Sequence, residues 1–530
     1  NLQIGVVLSE ILASVGKNAR IEAYDSIGVF ASNDSNIVLA AAAAAISGGT
    51  GVCATIATSL IFNTIHTDIA EEAALIAYAL PSGAGSGVKQ PSRDERRSGV
   101  IIGAFGSELI VMATVGASVG GGSAAVGGVV STLLAKNKVK ATVRSGVNIR
   151  SGAREGETVF GVTLGAGQSS SGRGEIAVEA DDSSIIIDFA GTLTIGSSAG
   201  VGVTVAVLVL DKEVKARVGS ALLNAVNNIT VSARADDNVF FVGATFGASG
   251  STAVSLGGNM LYFENDILAE LGGKAISSTD IAIRAESDAL LVVFALAFAG
   301  SGSVAVGGAG AGIYFTGSTI ARILDGAEVS AAGKTDVEAL SSEIVSPDAL
   351  GIAGSGTAAV SGAVVIVITS LETKAYIGKY VTLKAGALNI NAEDDYLLVG
   401  VAATAAGSGT AAVAVTAVVA VASNTVSAYI SGLSDEELLS ETADALRSHI
   451  TTTSGDVSLR AKSNRDIKLY AGTVAIGGAA GVAATIMVAV VGGKLNQDSA
   501  NELGKGFNAG EFENGMAAGS PDIAKGYSKK

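Results

Sequence analysis

Three stretches of the sequence decide the fold: Ser301-Gly302-Ser303-Val304-Ala305-Val306, Ser355-Gly356-Thr357-Ala358-Ala359-Val360 and Ser408-Gly409-Thr410-Ala411-Ala412-Val413. In each stretch a corner of small residues opens a long apolar run. The corner recurs along the chain, at intervals of 52 to 54 residues between compact copies. Self-similarity at such a period is the signature of a repeat architecture. The aligned corner positions are Gly48, Gly122, Ser197, Gly250, Gly302, Gly356, Gly409 and Gly478.

Two further landmarks follow each corner in the same order. The first is a strand of alternating polar residues, such as Val214–Val218, and the second is a strand that ends in alanine before an acidic turn, such as Val231–Asp237. Alternation with period two predicts strands with one wet face. The apolar runs after the corners, such as Thr410–Ala422 and Val360–Ile368, predict strands covered on both faces. The sequence therefore predicts an all-β fold, a right-handed, repetitive parallel β-solenoid resembling a β-helix.

The period of about 53 residues is compatible with one wide coil or two narrow coils per copy. We expect the repeat array to cover residues 1–492 in eight copies, with insertions at about 71–99, 142–174 and 433–452, and residues 493–530 to form a tail or linker outside the repeat. The first insertion contains Pro81, Pro91 and a charged run, which predict an exposed loop. The last opens with the capping box Ser434-x-x-Glu437, which predicts a helix over Ser434–Ile450.

Composition excludes several classes of protein. With 48% hydrophobic and 16% charged residues the chain is unlike disordered proteins, and 4 prolines among 530 residues exclude collagen. A net charge of −15 argues against a nucleic-acid partner, because phosphate binding needs Lys and Arg. One cysteine allows no internal disulfide. No basic-then-apolar leader follows Asn1, so we expect any signal peptide to have been removed or to lie outside this sequence.

Hydropathy offers a competing interpretation. Ala289–Ala321 contains no charged residue and is longer than the roughly 20 residues that a transmembrane helix needs. Because small-residue corners interrupt these runs, strands are favoured over helices, and apolar β-hairpins that enter a membrane remain the alternative. Neither end of the array has a polar cap. We therefore expect the repeats to continue or copies of the chain to stack end to end.

Few residues suggest chemistry. His66 lies beside Asp68 but occupies an ordinary wet-face strand position, His449 falls in the predicted helix, and Cys53 lies on an apolar strand as a small buried hydrophobe. We predict no catalytic residue and no enzymatic activity. The Gly-rich run Gly307–Gly310 lacks the Lys and Ser/Thr of a phosphate-binding loop.

The acidic turns are the only candidate metal ligands. They recur one period apart, so carboxylates of stacked copies would approach one another and could bind Ca²⁺, which prefers oxygen ligands. Acidic residues also suit turns and keep surfaces soluble, and this interpretation is favoured because the Gly-Asp pattern of calcium-binding nonapeptide repeats is missing. The weak candidates are Asp181, Asp182, Asp236, Asp237, Asp394 and Asp395. No other cofactor is predicted.

The units Ala387-Leu-Asn-Ile-Asn-Ala392 and Gly455-Asp-Val-Ser-Leu-Arg-Ala461, each followed by Gly/Ala/Val-rich runs, resemble the large exoproteins of two-partner secretion. The resemblance is to filamentous haemagglutinin-like and leukotoxin-family filamentous adhesins of Gram-negative bacteria, and it covers most of residues 20–492. It implies a secreted fibre at the cell surface that binds a host-cell or bacterial ligand, without catalytic residues. The alternative function is a membrane-active, pore-forming toxin.

Overall fold

The computed structural model describes residues 1–80, 86–91, 96–165, 170, 172–432 and 447–492. Within these ranges the chain forms β-strands and no helix, and the long strands stack in parallel, as a β-solenoid requires. The predicted fold class is therefore confirmed. The predicted tail, residues 493–530, and most of the predicted helix, residues 433–446, lie outside the described residues.

Two large parallel sheets make up the body of the molecule. In sheet A each long strand pairs with the corresponding strand of the next copy. Its long strands within the described ranges are β1 (Leu2–Val15), β4 (Gly51–Ile69), β9 (Ala124–Val143), β14 (Ala199–Ala225), β16 (Thr252–Ser277), β18 (Val304–Ile323), β21 (Ala358–Ile377), β24 (Ala411–Ile430) and β27 (Ala480–Val491).

Sheet B faces sheet A and follows the same order along the stack. Its strands within the described ranges are β3 (Ile27–Ser47), β8 (Gly99–Gly120), β13 (Glu175–Gly196), β15 (Ile229–Ser249), β17 (Ile281–Ser301), β20 (Lys334–Ser355), β23 (Ala387–Ser408) and β26 (Val457–Gly477).

Each copy supplies one wide coil. The chain runs along β17 in sheet B, turns at the corner Gly302 and returns along β18 in sheet A, and the next copy repeats this path. A strand of 20 residues spans about 66 Å at roughly 3.3 Å per residue. The structure thereby decides between the two coil widths that the period left open.

Short strands close the coil at the end opposite the corner. They lie in line with the ends of β14 and β16 and continue the parallel pairing there, so each coil has a third, narrow face. They are β2 (Arg20–Ala23), β5 (Ala74–Ala77), β10 (Asn148–Ser151), β19 (Glu328–Ala331), β22 (Thr382–Ala385) and β25 (His449–Thr452). Two small antiparallel hairpins are inserted, β6 (Val88–Lys89) with β7 (Arg96–Arg97) and β11 (Thr158–Val159) with β12 (Val162–Thr163).

The predicted loop at 71–99 and the predicted helix near 450 need correction. Ala74–Ala77 is a strand of the narrow face, and Leu75 is fully buried. His449 and Ile450 lie in β25, where the His449 amide donates to the carbonyl of Val381 at 2.8 Å. The local sequence patterns did not reveal these two strands, because the strands that pair with them come from neighbouring coils.

The acidic residues after each alanine do not form turns. Asp181 and Asp182 lie inside β13, which continues without interruption from Glu175 to Gly196. The prediction of a turn was wrong because unbroken pairing with both neighbouring strands holds this backbone extended.

The prediction that the corner strands are covered on both faces was also wrong. Val364 is 42% exposed, because each sheet packs only through its inner face.

The corner glycines stack in a column. A Cβ atom at Gly302, Gly356, Gly409 or Gly478 would lie within 3.0 Å of the carbonyl oxygen of the corner glycine one coil earlier. None of the four has a positive φ. Close approach of backbone to backbone, and not a left-handed conformation, therefore requires glycine at the corner.

We expect Gly356→Ala to lower the free energy of unfolding by about 1–3 kcal/mol, the usual cost of overpacking. Gly354→Ala is the matched control, because a Cβ atom at Gly354 meets nothing within 4 Å. Denaturant unfolding followed by circular dichroism checks both variants. Equal stability of the two would contradict the role assigned to the column.

Candidate functional site: an apolar outer band and a buried polar layer

The outer face of sheet A is divided into two halves. Along β14, the outward residues from Val201 to Val209 are all valine, and those from Asp211 to Arg217 are all charged. Val205 is 42% exposed, whereas its inward neighbours Thr204 and Ala206 are fully buried. The half next to the corner is thus apolar on the outside.

Sheet B shows the same division in mirror order. On β17 the outward residues Arg284, Glu286 and Asp288 precede five large apolar residues. Phe298, the last of these, is 41% exposed. The five are Leu290, Val292, Phe294, Leu296 and Phe298.

The two boundaries lie at the same distance from the corner. Leu290, the first apolar outward residue of β17, and Tyr314, the last of β18, are each twelve residues from Gly302. Leu397 and Val421 have the same relation to Gly409. We name the outward residues within this distance of the corner the apolar band. Exposed members on several strands are Phe189, Val205, Phe246, Phe298, Val364 and Ile366.

Polar residues interrupt the apolar band at a few places. Thr132 lies on β9, and Ser346 and Asp348 lie on β20, where Ser346 donates to Asp348 at 3.4 Å. Lys468 lies on β26 and pairs with Asp466 at 2.5 Å. The central strands β14, β15, β17 and β18 carry no charged outward residue in the band.

Toward the corner the interior becomes small and hydroxylic. Thr204 donates to Thr192 on the facing sheet at 2.8 Å, and Thr404 pairs with Thr416 in the same way at 2.8 Å. Ser131 lies 3.2 Å from both carboxyl oxygens of Asp188, which is fully buried. In this part of the coil the larger apolar side chains are therefore outside and the hydrogen-bonding side chains inside.

A buried polar layer crosses the molecule near the level where the apolar band ends. In sheet A its inward side chains are in register over four successive coils, from Asn63 to Asn265, and polar again at Asn424 after Gly317 and Leu371. In sheet B it is a facing row of acids, serine and tyrosine, interrupted by Ala289. This layer separates the hydrophobic core next to the corner from the hydrophobic core at the opposite end of the coil. Its members in sheet A include Asn63, Asn137, Lys212, Asn265 and Asn424, and in sheet B Glu108, Ser184, Asp237, Glu343 and Tyr396.

Lys212 is the centre of this layer. Its ammonium contacts Asp182 at 2.8 Å and Ser184 Oγ at 2.8 Å, and it also pairs with Asp237. Burial alone would lower the pKa of Lys212, but the two carboxylates raise it above its ordinary value. Burial raises the pKa of Asp237 to about 6, against the opposing effect of Lys212. Lys212 of β14, Asp182 of β13 and Asp237 of β15 form a buried ion-pair cluster.

The acidic layer continues on either side of Lys212. Burial and the nearby Asp182 raise the pKa of Glu108, which accepts hydrogen bonds from Asn63 and Asn137. Burial raises the pKa of Glu343 to about 8, and Ser341 donates to its Oε1 at 2.5 Å. Burial thus favours the protonated form of Glu343 at neutral pH.

Each pair of candidate calcium ligands is split across a sheet, because successive side chains of a strand alternate. Asp182, Asp237 and Asp394 face inward and are buried, and the first two pair with Lys212. Asp181, Asp236 and Asp395 face outward. Asp181 and Asp236 line an open groove of about 490 Å³ together with Arg234. Among the described residues, no group of three or more His, Cys, Asp or Glu could hold a metal ion.

The two other candidates have structural surroundings. His66 Nε2 lies 3.4 Å from Thr142 Oγ1, and burial, with Lys140 and Arg144 nearby, lowers the pKa of His66. Asp68 pairs with Arg144 at 2.9 Å. Cys53 is buried, and its thiol donates to the carbonyl of Ala43 at 3.3 Å.

The apolar band was missed because the corner strands were interpreted as apolar on both faces. A signal was present in Val201-Gly-Val203-Thr-Val205-Ala-Val207, where size alternates with period two. Such alternation indicates which residues share a face, but not which face is outside.

Comparison of the chain with protein-family models, with curated proteins and with solved structures gives no match. No helix in the described part of the chain is long and apolar enough to cross a membrane.

Proposed function

We propose that this chain is a non-enzymatic structural and adhesive segment of a secreted bacterial surface fibre. The observation that supports it is the unbroken parallel register between successive coils, which runs through all 21 residue pairs of β17 with β20. Stacking of this kind extends a rigid body by one coil per copy and repeats every surface feature at the strand spacing of about 4.8 Å. A repeated surface suits adhesion to a host-cell or bacterial ligand.

Self-stacking of copies is part of this proposal. Within the described part of the chain, β1 and β27 pair on one side only, as do β3 and β26 in sheet B. Edges of this kind are templates for adding a further strand. Two copies could thus continue one stack.

Electron microscopy of the purified chain in negative stain tests the proposal. We expect rods that lengthen with concentration, and X-ray diffraction from aligned rods with a meridional reflection at about 4.8 Å. Single particles of constant size at every concentration, without that reflection, would contradict self-stacking.

A membrane-active protein is the second candidate function, and the apolar band favours it. Release of a trapped dye from liposomes on addition of the chain tests this function independently of filament formation. Intact vesicles at protein concentrations that coat the lipid would exclude a pore-forming toxin.

A further inference from the structure

The apolar band lies on the outer faces of both sheet A and sheet B in the same coils. A partner that covers the whole band therefore contacts both faces. We propose that this partner is the hydrocarbon of a lipid bilayer, entered corner first with the long strands along the membrane normal. The inference rests on the second function proposed above and specifies its ligand, depth and orientation.

The two-sided distribution favours lipid over a protein partner. A second copy of the chain docking through one sheet would cover the valines of β14 or the apolar residues of β17, but not both. These surfaces lie on opposite outer faces and meet only at the corner. A medium that surrounds the corner half from both sides covers them together.

The height of the band fits the thickness of a bilayer. Eleven residues from Ala199 to Val209 span about 36 Å at roughly 3.3 Å per residue. The hydrocarbon core is about 30 Å thick, and membrane-crossing strands have about 9–11 residues. The Ser/Gly/Thr corner lies beyond one end of the band and the charged half beyond the other, so polar groups flank the hydrocarbon on both sides.

The side chains at the boundary and inside the coil agree with this placement. Tyr262 and Tyr314 are adjacent at the charged end of the band on sheet A, 6.0 Å apart and exposed. Tyrosine is enriched at membrane–water interfaces. Thr192, Thr204 and Asp188 are on the inside, where they find hydrogen-bond partners away from lipid. Every backbone group of the central strands pairs with a neighbouring coil, as hydrocarbon requires, and stacking with further copies of the chain supplies partners for the open edges at β1, β27, β3 and β26.

Flotation with phosphatidylcholine vesicles tests the proposal, using two lysine substitutions on one strand. Val364→Lys places a charge within the band, and Ser370→Lys places the same charge on the same outer face of β21, beyond the band; both positions are exposed. We expect the wild type and Ser370→Lys to float with the vesicles. Val364→Lys is expected to partition at least about thirty-fold more weakly, because lysine near the bilayer centre is disfavoured. Circular dichroism verifies that both variants fold.

Depth is measured with a fluorescent label on single cysteines in a Cys53→Ala background. We expect the label at Val205→Cys to be quenched by spin labels on lipid acyl chains, and the label at Lys215→Cys only by an aqueous quencher outside the vesicle. The label at Ser303→Cys, in the corner, should respond only to quencher trapped inside. This measurement does not depend on whether Val364→Lys folds.

Several outcomes would overturn the proposal. The wild type remaining at the bottom of the gradient would do so, as would equal flotation of Val364→Lys. Association of the wild type in lipid-free buffer that Val364→Lys abolishes, without flotation of either, would assign the band to a second copy. If the chain releases dye but the label at Val205→Cys is quenched only from water, the chain is membrane-active and the corner-first orientation is wrong.

Discussion

Replacing Lys212 with methionine is expected to lower the free energy of unfolding by about 3–5 kcal/mol at neutral pH, the usual cost of breaking a buried ion pair from one side. The side chain of Lys212 is 5% exposed and those of Asp182 and Asp237 are 1% and 2% exposed. Without the ammonium, two carboxylates remain buried close together. Denaturant unfolding monitored by circular dichroism, with hydrogen exchange of β13 and β15, measures the loss.

Lys215→Met is the matched control. Lys215 lies three residues further along β14, on the outer face, and pairs with Glu213 at 2.5 Å. Exposed ion pairs contribute only about 0–1 kcal/mol. A Lys212→Met variant as stable as Lys215→Met would show that the buried cluster is not required. Adding Asp182→Asn and Asp237→Asn to Lys212→Met should recover part of the lost stability, since the uncompensated charges are then removed.

Glu343→Gln is expected to stabilise the protein by about 3 kcal/mol at pH 7, with the gain falling as the pH is lowered. The ordinary pKa of this carboxyl is 4.5, and burial in the fold raises it to about 8. The folded state therefore holds the proton more strongly than the unfolded chain. The contribution of the Glu343 carboxyl to the stability of the fold is fully present below pH 4.5 and is lost progressively as the pH rises towards about 8. Glutamine has a similar shape and does not ionise, so the Glu343→Gln variant does not lose this stability as the pH rises.

The unfolding midpoint measured between pH 4 and pH 8 checks this prediction. The wild type should lose stability relative to Glu343→Gln across that interval, and the two should converge at its acidic end. Glu338→Gln, on the outer face of the same strand and 3.8 Å from Arg284, should follow the wild type. Parallel profiles for Glu343→Gln and the wild type would reject a buried, protonated Glu343.

Neighbouring coils explain where the sequence-based predictions were right and where they were wrong. The corner motif and the period were correct, because the corner and its flanking strands recur in every copy and the longer copies differ from the compact ones by insertions. The acidic turns at Asp181-Asp182 and the exposed loop over Ala74–Ala77 were wrong, because strands from other coils pair with these segments. The cluster of Lys212 with Asp182 and Asp237 had no local signal, since Lys212 lies 30 residues from Asp182 and 25 from Asp237 in the sequence and the two acids are on the facing sheet.

The amino-acid sequence by itself determined that this protein is a stack of β-coils: the small-residue corner recurs with the same flanking strands in every copy, which indicates a repeated path, and Val- and Ile-rich alternation makes that path extended. Only the tertiary structure decided which side of each strand is inside. Alternation defines two faces but leaves their assignment open, and it is the packing of sheet A on sheet B that places the threonines, the asparagines of the buried polar layer and Lys212 inside. The same packing leaves valine and phenylalanine outside near the corner, where an apolar partner can reach them.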